Sequence, residues 1–346
     1  MAKRYRAGII GVGFIGGADQ VSGDALGQRV EDLDGTHLVA LDGHPQVDLV
    51  AGSSRDQGRR DRFAARTDAT AYSDWREMLQ KESLDIISVA TYAGVHAEMT
   101  IGAAEAGARV IFCEKPVATK VVDARRMLAV CQEREALLVF NHQRRFSPNG
   151  HRLRDRIANG DLGDLTSVNL SWPTGRLADV GTHVIDAMHM HLGRQIEAVS
   201  GTLDFSGKPD CRGPELTDYG AWGTMRMEGG LMVTVDAPDY SRSPFYISIN
   251  GTEARAVTDG VAVRIDDWAG QIEEFPPHPP NISSMDRAVT GIVEWLDDAK
   301  PFPHDPADGI NVMEAIAGFH VSHHRNSAWV DLPLDDEGAN HFINCA

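Results

Sequence analysis

Short apolar runs alternate with amphipathic segments through the first 140 residues. The predicted strands and helices are, in chain order, a strand before Gly11, a strand at Val47–Ala51, a helix at Gln57–Arg66, a strand at Leu84–Ala90, a helix at His96–Ala106, a strand at Arg109–Cys113, a helix at about Ala118–Arg134 and a strand at Leu137–Phe140. Strands that each lead through a helix to the next strand form parallel sheets covered on both faces. This part of the chain is therefore predicted to be an open α/β sheet.

The pattern changes after Pro148. Helical segments near Gly150–Ala158 and Thr182–Leu192 are followed by runs of alternating or β-branched residues. These predicted strands are Glu197–Phe205, Tyr219–Met227, Leu231–Val235, Phe245–Gly251 and Val261–Ile265. Because strand follows strand, we expect an antiparallel or mixed sheet. A proline-rich loop at 275–280 and two helices, about Met285–Lys300 and Asn311–His324, complete the chain.

These two patterns divide the 346 residues into two predicted domains, 1–143 and 144–346. The net charge of −17 lies mostly in the second, which has 16 Lys and Arg against 30 Asp and Glu. Such an acidic surface repels nucleic acid and anionic membranes, so neither is expected as a partner.

The composition also bears on the compartment. No apolar window approaches the length of a membrane span, and no signal-peptide core follows the N-terminus. The four cysteines, Cys113, Cys131, Cys211 and Cys345, lack zinc-like spacing. We therefore expect a cytoplasmic protein with reduced thiols.

A glycine-rich turn follows the first predicted strand. Gly11, Gly13 and Gly16 have the spacing that permits a tight turn, close approach of a diphosphate and packing of the next helix on the strand. With Phe14 and Ile15 they are candidate dinucleotide-binding residues. The motif alone is a weak signal, and the alternation of strands and helices strengthens it.

Ligands of open parallel sheets bind outside the carboxyl ends of the strands. The further candidates for cofactor contact at that edge are Thr91, His96, Glu114, Lys115 and Pro116. The alternative interpretation of the last three is a solvated ion pair followed by a proline that ends the strand.

Two candidates for the second strand give opposite cofactor preferences. If Thr36–Leu41 is that strand, it ends at Asp42, and an acidic residue there favours NAD. If Val47–Gly52 is that strand, it ends at Ser53, Ser54 and Arg55, which favour the 2′-phosphate of NADP. The order of the following segments favours the second candidate, and so NADP over NAD.

Three ordered motifs carry a family resemblance: GIIGVGFIG from Gly8, FCEKP ending at Pro116, and DVGTHVID from Asp179 to Asp186. Together they resemble the Gfo/Idh/MocA family, the relatives of glucose-fructose oxidoreductase and inositol dehydrogenase. Weaker similarity extends over essentially the whole chain. The resemblance implies a Rossmann domain followed by an α/β domain with an open, mostly antiparallel sheet. In the family that sheet often forms the contact of a homo-oligomer, a dimer or tetramer.

The resemblance also assigns site residues. Lys115 matches the family's active-site lysine, Asp179 and His183 match its Asp-x-x-x-His pair, and Asp186 matches a further carboxylate. On a helix, Asp179, His183 and Asp186 would share one face. A histidine suits proton abstraction from a hydroxyl, and a lysine can stabilise the developing alkoxide.

Several assignments near this motif stay open. Arg144 and Trp172 are candidate substrate contacts together with Asp179, His183 and Asp186. Without the resemblance, Asp179 would be interpreted as a helix cap and His183 as a packed interface histidine. A metal site at His183, Asp186 and His189 is not expected, because they form no recognisable ligand motif.

The leading hypothesis is NAD(P)-dependent oxidation of a ring hydroxyl of a sugar, anhydrosugar or inositol to a ketone, or the reverse reduction. The alternatives are a nicotinamide-dependent glycosidase that acts by transient oxidation and elimination, and a non-catalytic regulator that senses the cofactor. One segment departs from the family pattern: about twenty polar residues, Ala18–Gly35, separate the glycine turn from His37. They are predicted to be either an extended loop near the adenosine or a lid.

Overall fold

In the computed structural model, which describes residues 4–206, 213, 215–239, 244–278 and 281–345, the strands form two sheets. Cys211 and residues 279–280 of the predicted loop lie outside these residues. The chain divides into two units. The first comprises the described residues of Met1–Ala118, Asp123–Gln143 and Asn281–Pro306, and the second those of Thr119–Val122, Arg144–Pro280 and Ala307–Ala346. Residues 281–306 thus join the first unit, although the sequence pattern places them after the boundary at 143.

The first unit contains a six-stranded parallel sheet with the order β3-β2-β1-β4-β5-β6. Its strands are β1 Tyr5–Ile10, β2 Val47–Ser53, β3 Thr70–Tyr72, β4 Ile86–Val89, β5 Val110–Cys113 and β6 Leu137–Phe140. Every residue of β4 and β5 is buried, as expected for central strands covered on both faces. The order reverses at β1, between β2 and β4, and this is where doubly wound sheets bind dinucleotides.

The helices of the described residues are α1 Phe14–Gly17, α2 Gln20–Ala25, α3 His37–Gly43, α4 Gln57–Ala64, α5 Trp75–Lys81, α6 His96–Glu105, α7 Val121–Glu133, α8 Pro148–Ala158, α9 Thr182–Leu192, α10 Ser284–Leu296, α11 Pro306–His324 and α12 Asp336–Ala339. Helix α10 packs against α3, which explains why residues 281–306 belong to the first unit. Because Thr36 caps α3 and Asp42 lies within it, the candidate strand at Thr36–Leu41 is wrong, and β2 is the second strand.

The second unit contains a nine-stranded mixed sheet with the order β14-β13-β12-β11-β7-β10-β9-β8-β15. Its strands are β7 Leu165–Ser171, β8 Ile196–Asp204, β9 Gly220–Met227, β10 Met232–Ala237, β11 Tyr246–Gly251, β12 Ala254–Thr258, β13 Val263–Asp267, β14 Ile272–Phe275 and β15 Val330–Asp331. All pairs are antiparallel except β7 with β10. Helix α11 covers one face, where a Cβ at Gly201 or Gly223 would lie 2.6 Å from the Phe319 ring. The predicted α/β fold is confirmed.

Residues 18–35, here called the insertion, contain α2 and a 3₁₀ turn at Val30–Asp32. At one end Asp19, 1% exposed, accepts hydrogen bonds from Arg62 Nε (2.6 Å) and Ser22 Oγ (2.6 Å). The bond from Arg62 outweighs burial and holds the pKa of Asp19 at about 2. At the other end Asp34 Oδ1 accepts from Ser284 N (2.9 Å). The insertion is therefore tied down at both ends within the first unit.

Candidate active site

The glycine turn, residues 11–16, lies at the carboxyl end of β1. The amides of Gly11 and Val12 both donate to Ser53 O, at 2.9 and 3.2 Å. Gly11 has φ +99°, and a Cβ there would lie 2.4 Å from Ala90 O; a Cβ at Gly16 would lie 2.0 Å from Gly11 O. Only glycine fits at these two positions. The predicted turn is thus packed tightly between the ends of β1, β2 and β4.

The helix after this turn is shorter than the glycine motif suggests. Helix α1 has four residues and ends at Ala18, which is left-handed with φ +52°. The Phe14 side chain is buried and packs on Gly23, where a Cβ would lie 2.5 Å from its ring. Of the two predicted contacts beside the glycines, Phe14 therefore turns its ring to the insertion, and Ile15 is half-buried.

Ser53, Ser54 and Arg55 follow one another at the carboxyl end of β2, next to the glycine turn. Ser53 is buried, Ser54 half-buried and Arg55 exposed. Arg60 Nη1 donates to the carbonyls of Ser54 (2.7 Å) and Arg55 (2.9 Å), which fixes the backbone here. No acidic residue ends this strand.

Sequence reasoning missed Arg59 of α4. Its Nη1 lies 3.5 Å from the position of a Cβ at Gly13, so the guanidinium covers the glycine turn. Arg59 Nε donates to Ser22 Oγ (2.9 Å), and Ser22 in turn donates to Asp19. Ser22 of the insertion thus holds the Arg59 guanidinium beside the glycine turn. The available signal was the cluster of four arginines at 55–62, of which only the first was singled out.

The Glu-Lys-Pro turn, Glu114–Pro116, follows β5. Glu114 is 6% exposed, and its Oε1 lies 3.0 Å from His37 Nε2 and 2.5 Å from Asn141 Nδ2. The amide of Lys115 donates to Glu114 Oε2 at 3.2 Å. Burial raises the pKa of Glu114, but the hydrogen bond and charge of His37 and the charge of Lys115 reverse the shift, and the net pKa is lowered. The exposed ion pair of the alternative interpretation is not what the structure shows.

His96, a predicted cofactor contact, is fully buried and joins two loops. Its Nδ1 lies 2.9 Å from Pro116 O, and its Nε2 lies 3.2 Å from Thr91 O. Burial lowers the pKa of His96, so the neutral ring has a single N–H to donate. The shorter distance indicates that Pro116 O receives it. His96 therefore fixes the Glu-Lys-Pro turn, while the Thr91 side chain lies against the Cβ position of Gly11.

The first unit thus brings most of its predicted residues together. Strands β1, β4 and β5 are neighbours, and the glycine turn, Thr91 and the Glu-Lys-Pro turn follow their carboxyl ends. Lys115 is half-buried at this edge.

In the second unit, Asp179 lies in a π-helical turn, Leu177–Gly181, directly before α9. The amide of Gly181 donates to Arg176 O at 3.1 Å, the i to i−5 bond typical of such turns, which are frequent at functional sites. Arg176 is left-handed, with φ +57°, and its Nη2 lies 3.6 Å from Asp179 Oδ2.

The Trp172 side chain packs against this turn. It is fully buried, its Nε1 donates to Gly175 O (2.7 Å), and a Cβ at Gly181 would lie 2.6 Å from its indole. The geometry favours a packing role for Trp172 over its predicted substrate contact.

Asp218 is a second carboxyl group that sequence reasoning missed. Its oxygens accept from the amides of Ala178 (2.9 Å) and Asp179 (2.7 Å). Burial, and then the charge of Asp179, raise the pKa of Asp218 well above its usual range. The two aspartates are 39 positions apart in the chain, so their pairing cannot be recognised from the sequence.

His183 is the second residue of α9 and is half-buried, whereas Asp186 on the same helix is fully buried. Both Asp186 oxygens accept from Arg145 Nε, at 2.8 and 2.9 Å, and Arg145 Nη1 also donates to Asp308 (3.0 Å). This geometry favours a structural role for Asp186. Arg144 lies with its guanidinium 4.2 Å from the centre of the Phe245 ring.

The described ranges contain no cluster of three or more His, Cys, Asp or Glu arranged to hold a metal ion. In the same part of the chain, no helix has the length and apolar character needed to cross a membrane.

Known proteins resemble both units. Residues 5–142 match a family model described as an oxidoreductase family with an NAD-binding Rossmann fold, and residues 151–257 match the GFO/IDH/MocA C-terminal domain. The chain is 29% identical to dTDP-3,4-didehydro-2,6-dideoxy-alpha-D-glucose 3-reductase of Actinomadura kijaniata over 48% of its own length and 54% of the relative's. It is 24% identical to scyllo-inositol 2-dehydrogenase (NADP(+)) of Bacillus subtilis over 82% and 87%.

The chain spans about half the length of the first curated relatives, 54% and 56%. Among solved structures, levoglucosan dehydrogenase in complex with NADH and levoglucosan superposes with a TM-score of 0.77 at 19% identity, over 96% of this chain and 100% of that one. At this identity the likeness shows the fold.

Proposed function

The chain belongs to the GFO/IDH/MocA family of NAD-binding oxidoreductases, and from this premise we propose that it oxidises a ring hydroxyl of a sugar, anhydrosugar or inositol to a ketone, or catalyses the reverse reduction. The observation that carries the proposal is the placement of the glycine turn and Lys115 at the carboxyl ends of β1 and β5, which are separated by β4 alone in one parallel sheet. Relatives named as inositol 2-dehydrogenase and levoglucosan dehydrogenase support the substrate class.

The residues of the glycine turn fit a dinucleotide. Because its glycines have no side chains, a diphosphate can approach the backbone of the turn closely, and Arg59 adds a positive charge beside Gly13. A bound nicotinamide would supply the hydride acceptor or donor. The protein's own residues would bind and orient the substrate and move the hydroxyl proton.

We assign the transfer of the substrate's hydroxyl proton to His183 and Lys115. His183 takes the hydroxyl proton as general base, and the Lys115 ammonium stabilises the alkoxide character that develops during the reaction. Asp179 stabilises the protonated form of His183. The π turn and the buried neighbour Asp218 support this role for Asp179, because they hold its backbone in one conformation.

The proposed cofactor is NADP. Ser53, Ser54 and Arg55 at the end of β2 favour a 2′-phosphate, and the relative named for NADP(+) supports this choice. Titration of Arg55→Ala with each dinucleotide tests this proposal. NADP should bind about tenfold more weakly, which corresponds to about 1.4 kcal/mol, while NAD binding stays constant. An equal loss for both dinucleotides would contradict the assignment, and Arg152→Ala is the control.

The test of function follows reduced-nicotinamide absorbance over free sugars, anhydrosugars, inositols and glycosides, with NADP and with NAD. Lys115→Met should lower kcat by at least about a hundredfold, and Lys120→Met, a nearby control, should not. Release of aglycone without net cofactor reduction would instead identify the glycosidase. Dinucleotide binding without turnover on any substrate would favour the regulator.

Two coarser features complete the proposal. We propose self-association through the face of the second sheet that carries the exposed side chains Trp222 and Met232, as the resemblance implies. Analytical ultracentrifugation of Trp222→Asp should then show dissociation. A reducing cytoplasm is the proposed location, supported by the buried free thiols of Cys113 and Cys131.

A further inference from the structure

His37 is a buried histidine outside the predicted site. It is the first residue of α3, directly after the insertion, and it is 0% exposed. Its Nδ1 lies 2.9 Å from Ser88 Oγ on β4, its Nε2 lies 3.0 Å from Glu114 Oε1, and its ring packs on Phe112 of β5 (centroids 4.7 Å). A buried imidazole with two specific partners has one defined orientation.

The partners of His37 identify one donor nitrogen of its ring. A charged carboxylate only accepts hydrogen bonds, so Nε2 carries a proton and donates to Glu114. Nδ1 is paired with the Ser88 hydroxyl, which is itself fully buried. Both ring nitrogens are therefore held by buried partners.

Glu114 transmits this geometry to the next residue. With Oε1 held by His37 and Asn141, its Oε2 accepts from the amide of Lys115 at 3.2 Å. The orientation of the carboxylate therefore constrains the peptide group that carries Lys115.

We infer that His37 is a positioning residue for Lys115 and acts through the Glu114 carboxylate without touching the substrate. The inference rests on the proposed function for its kinetic consequence, because the role of Lys115 is part of that proposal. It adds a residue of α3, a helix in which the sequence analysis identified no candidate.

The decisive variants are His37→Leu, which removes donor and acceptor, and His37→Gln, which keeps one of each. We expect His37→Leu to lower kcat about tenfold to a hundredfold, as misplacement of a reactive group by about 1 Å does, with the Kd for the dinucleotide unchanged within twofold. His37→Gln should recover most of the loss. His44→Leu, just after α3, is the matched control, since the His44 ring contacts Gln46 N and not the Glu-Lys-Pro turn.

The pH profile separates positioning from a general loss of structure. Without the hydrogen bond from His37, burial raises the pKa of Glu114, so the acidic limb of kcat should move to higher pH in His37→Leu and not in His37→Gln. The other titratable groups that interact with Glu114 are Lys115, His96 and Cys113, and these are the same in both variants. Equal profiles for Leu and Gln would overturn the inference.

Hydrogen exchange gives a readout that needs no turnover. The Lys115 amide should exchange faster in His37→Leu, whereas the Glu114 amide, bonded to Val89 O at 2.8 Å, should stay protected. If the wild-type protein turns over no substrate, the proposed function fails, and unchanged exchange at Lys115 would separately overturn the positioning role.

If His37→Leu does not fold, Ser88→Ala replaces it. The loss of one hydroxyl leaves the packing intact but removes the hydrogen bond that holds His37 Nδ1. The same changes in kcat and exchange are expected at a smaller size, and an unchanged kcat and exchange rate would count against the inference.

Discussion

Glu114 in the first unit and Asp218 in the second are both buried carboxyl groups beside a residue to which we assign a role in the reaction. Burial raises the pKa of each. Around Glu114 the hydrogen bond and charge of His37 reverse that effect, whereas around Asp218 the charge of Asp179 adds to it.

The comparison shows that neighbours, rather than burial alone, decide which buried carboxyl group stays charged. Glu114 is surrounded by donors and keeps its charge, which suits a rigid support. The Asp179–Asp218 pair holds two acidic groups close together, and paired carboxyl groups of this kind are frequent where protons are moved.

The largest expected effect is a loss of kcat that distinguishes His183 in the second unit from His96 in the first. His183→Ala should lower kcat by about 10²- to 10⁴-fold with little change in Tm, because His183 is half-buried and assigned to proton transfer. His96→Ala should instead lower Tm, since it leaves a buried carbonyl unpaired at a cost of about 1–3 kcal/mol. Kinetics and thermal unfolding of both variants test this contrast. A kcat for His183→Ala close to wild type would remove the functional half of the comparison.

The next effect is the pH dependence of folding stability, which has opposite signs for Glu114 and Asp218. The pKa of Glu114 is lower in the folded protein than in the unfolded chain, where it is about 4.3. Glu114 therefore stabilises the fold above about pH 4.3, and this contribution is lost as the pH falls through the folded pKa. The pKa of Asp218 is higher in the folded protein than in the unfolded chain, where it is about 3.9. Asp218 therefore stabilises the fold below about pH 3.9, and this contribution is lost as the pH rises through the folded pKa.

Urea unfolding from pH 3.5 upwards measures both contributions. Relative to wild type, Glu114→Gln should make stability less sensitive to acid, and Asp218→Asn should make it less sensitive to rising pH. Glu105→Gln, an exposed site on α6, is the control. The same sign of change in both variants would contradict the assignment of charge states.

The smallest expected effect lies at the start of α3. Thr36 Oγ1 accepts from Val39 N at 3.3 Å and caps the helix that begins with His37. Thr36→Ala should lower the free energy of unfolding by about 1 kcal/mol, whereas Thr36→Ser should preserve it. A loss of kcat in Thr36→Ala that Thr36→Ser does not share would tie the cap to the support of Glu114.

Much of the fold could be predicted from periodicity. Strand β6 and helix α9 lie where the apolar pattern placed them, and α6 begins at His96 as predicted. Strand β7 was missed although it pairs with both β10 and β11, because only Val168 and Leu170 of its seven residues are buried apolar side chains. A strand with so few apolar positions gives a weak alternating signal.

The candidate site was predictable where residues follow one another along the chain, as in the glycine turn and the Glu-Lys-Pro turn. It was not predictable where contacts join distant segments. His37 and Glu114 are 77 residues apart, and Arg59 is 37 residues from Ser22. Such pairs are created by the order of strands in the sheet, which local patterns do not encode.

The two anchors of the insertion also bear on how the protein can evolve and be engineered. Asp19 and Asp34 fix its ends, and no residue from Asp24 to Leu33 is buried. Because the entropy of closing a loop grows slowly with its length, this stretch can lengthen or accept a fused tag without displacing His37. Sequence drift between the anchors is thereby uncoupled from the geometry of the reactive lysine.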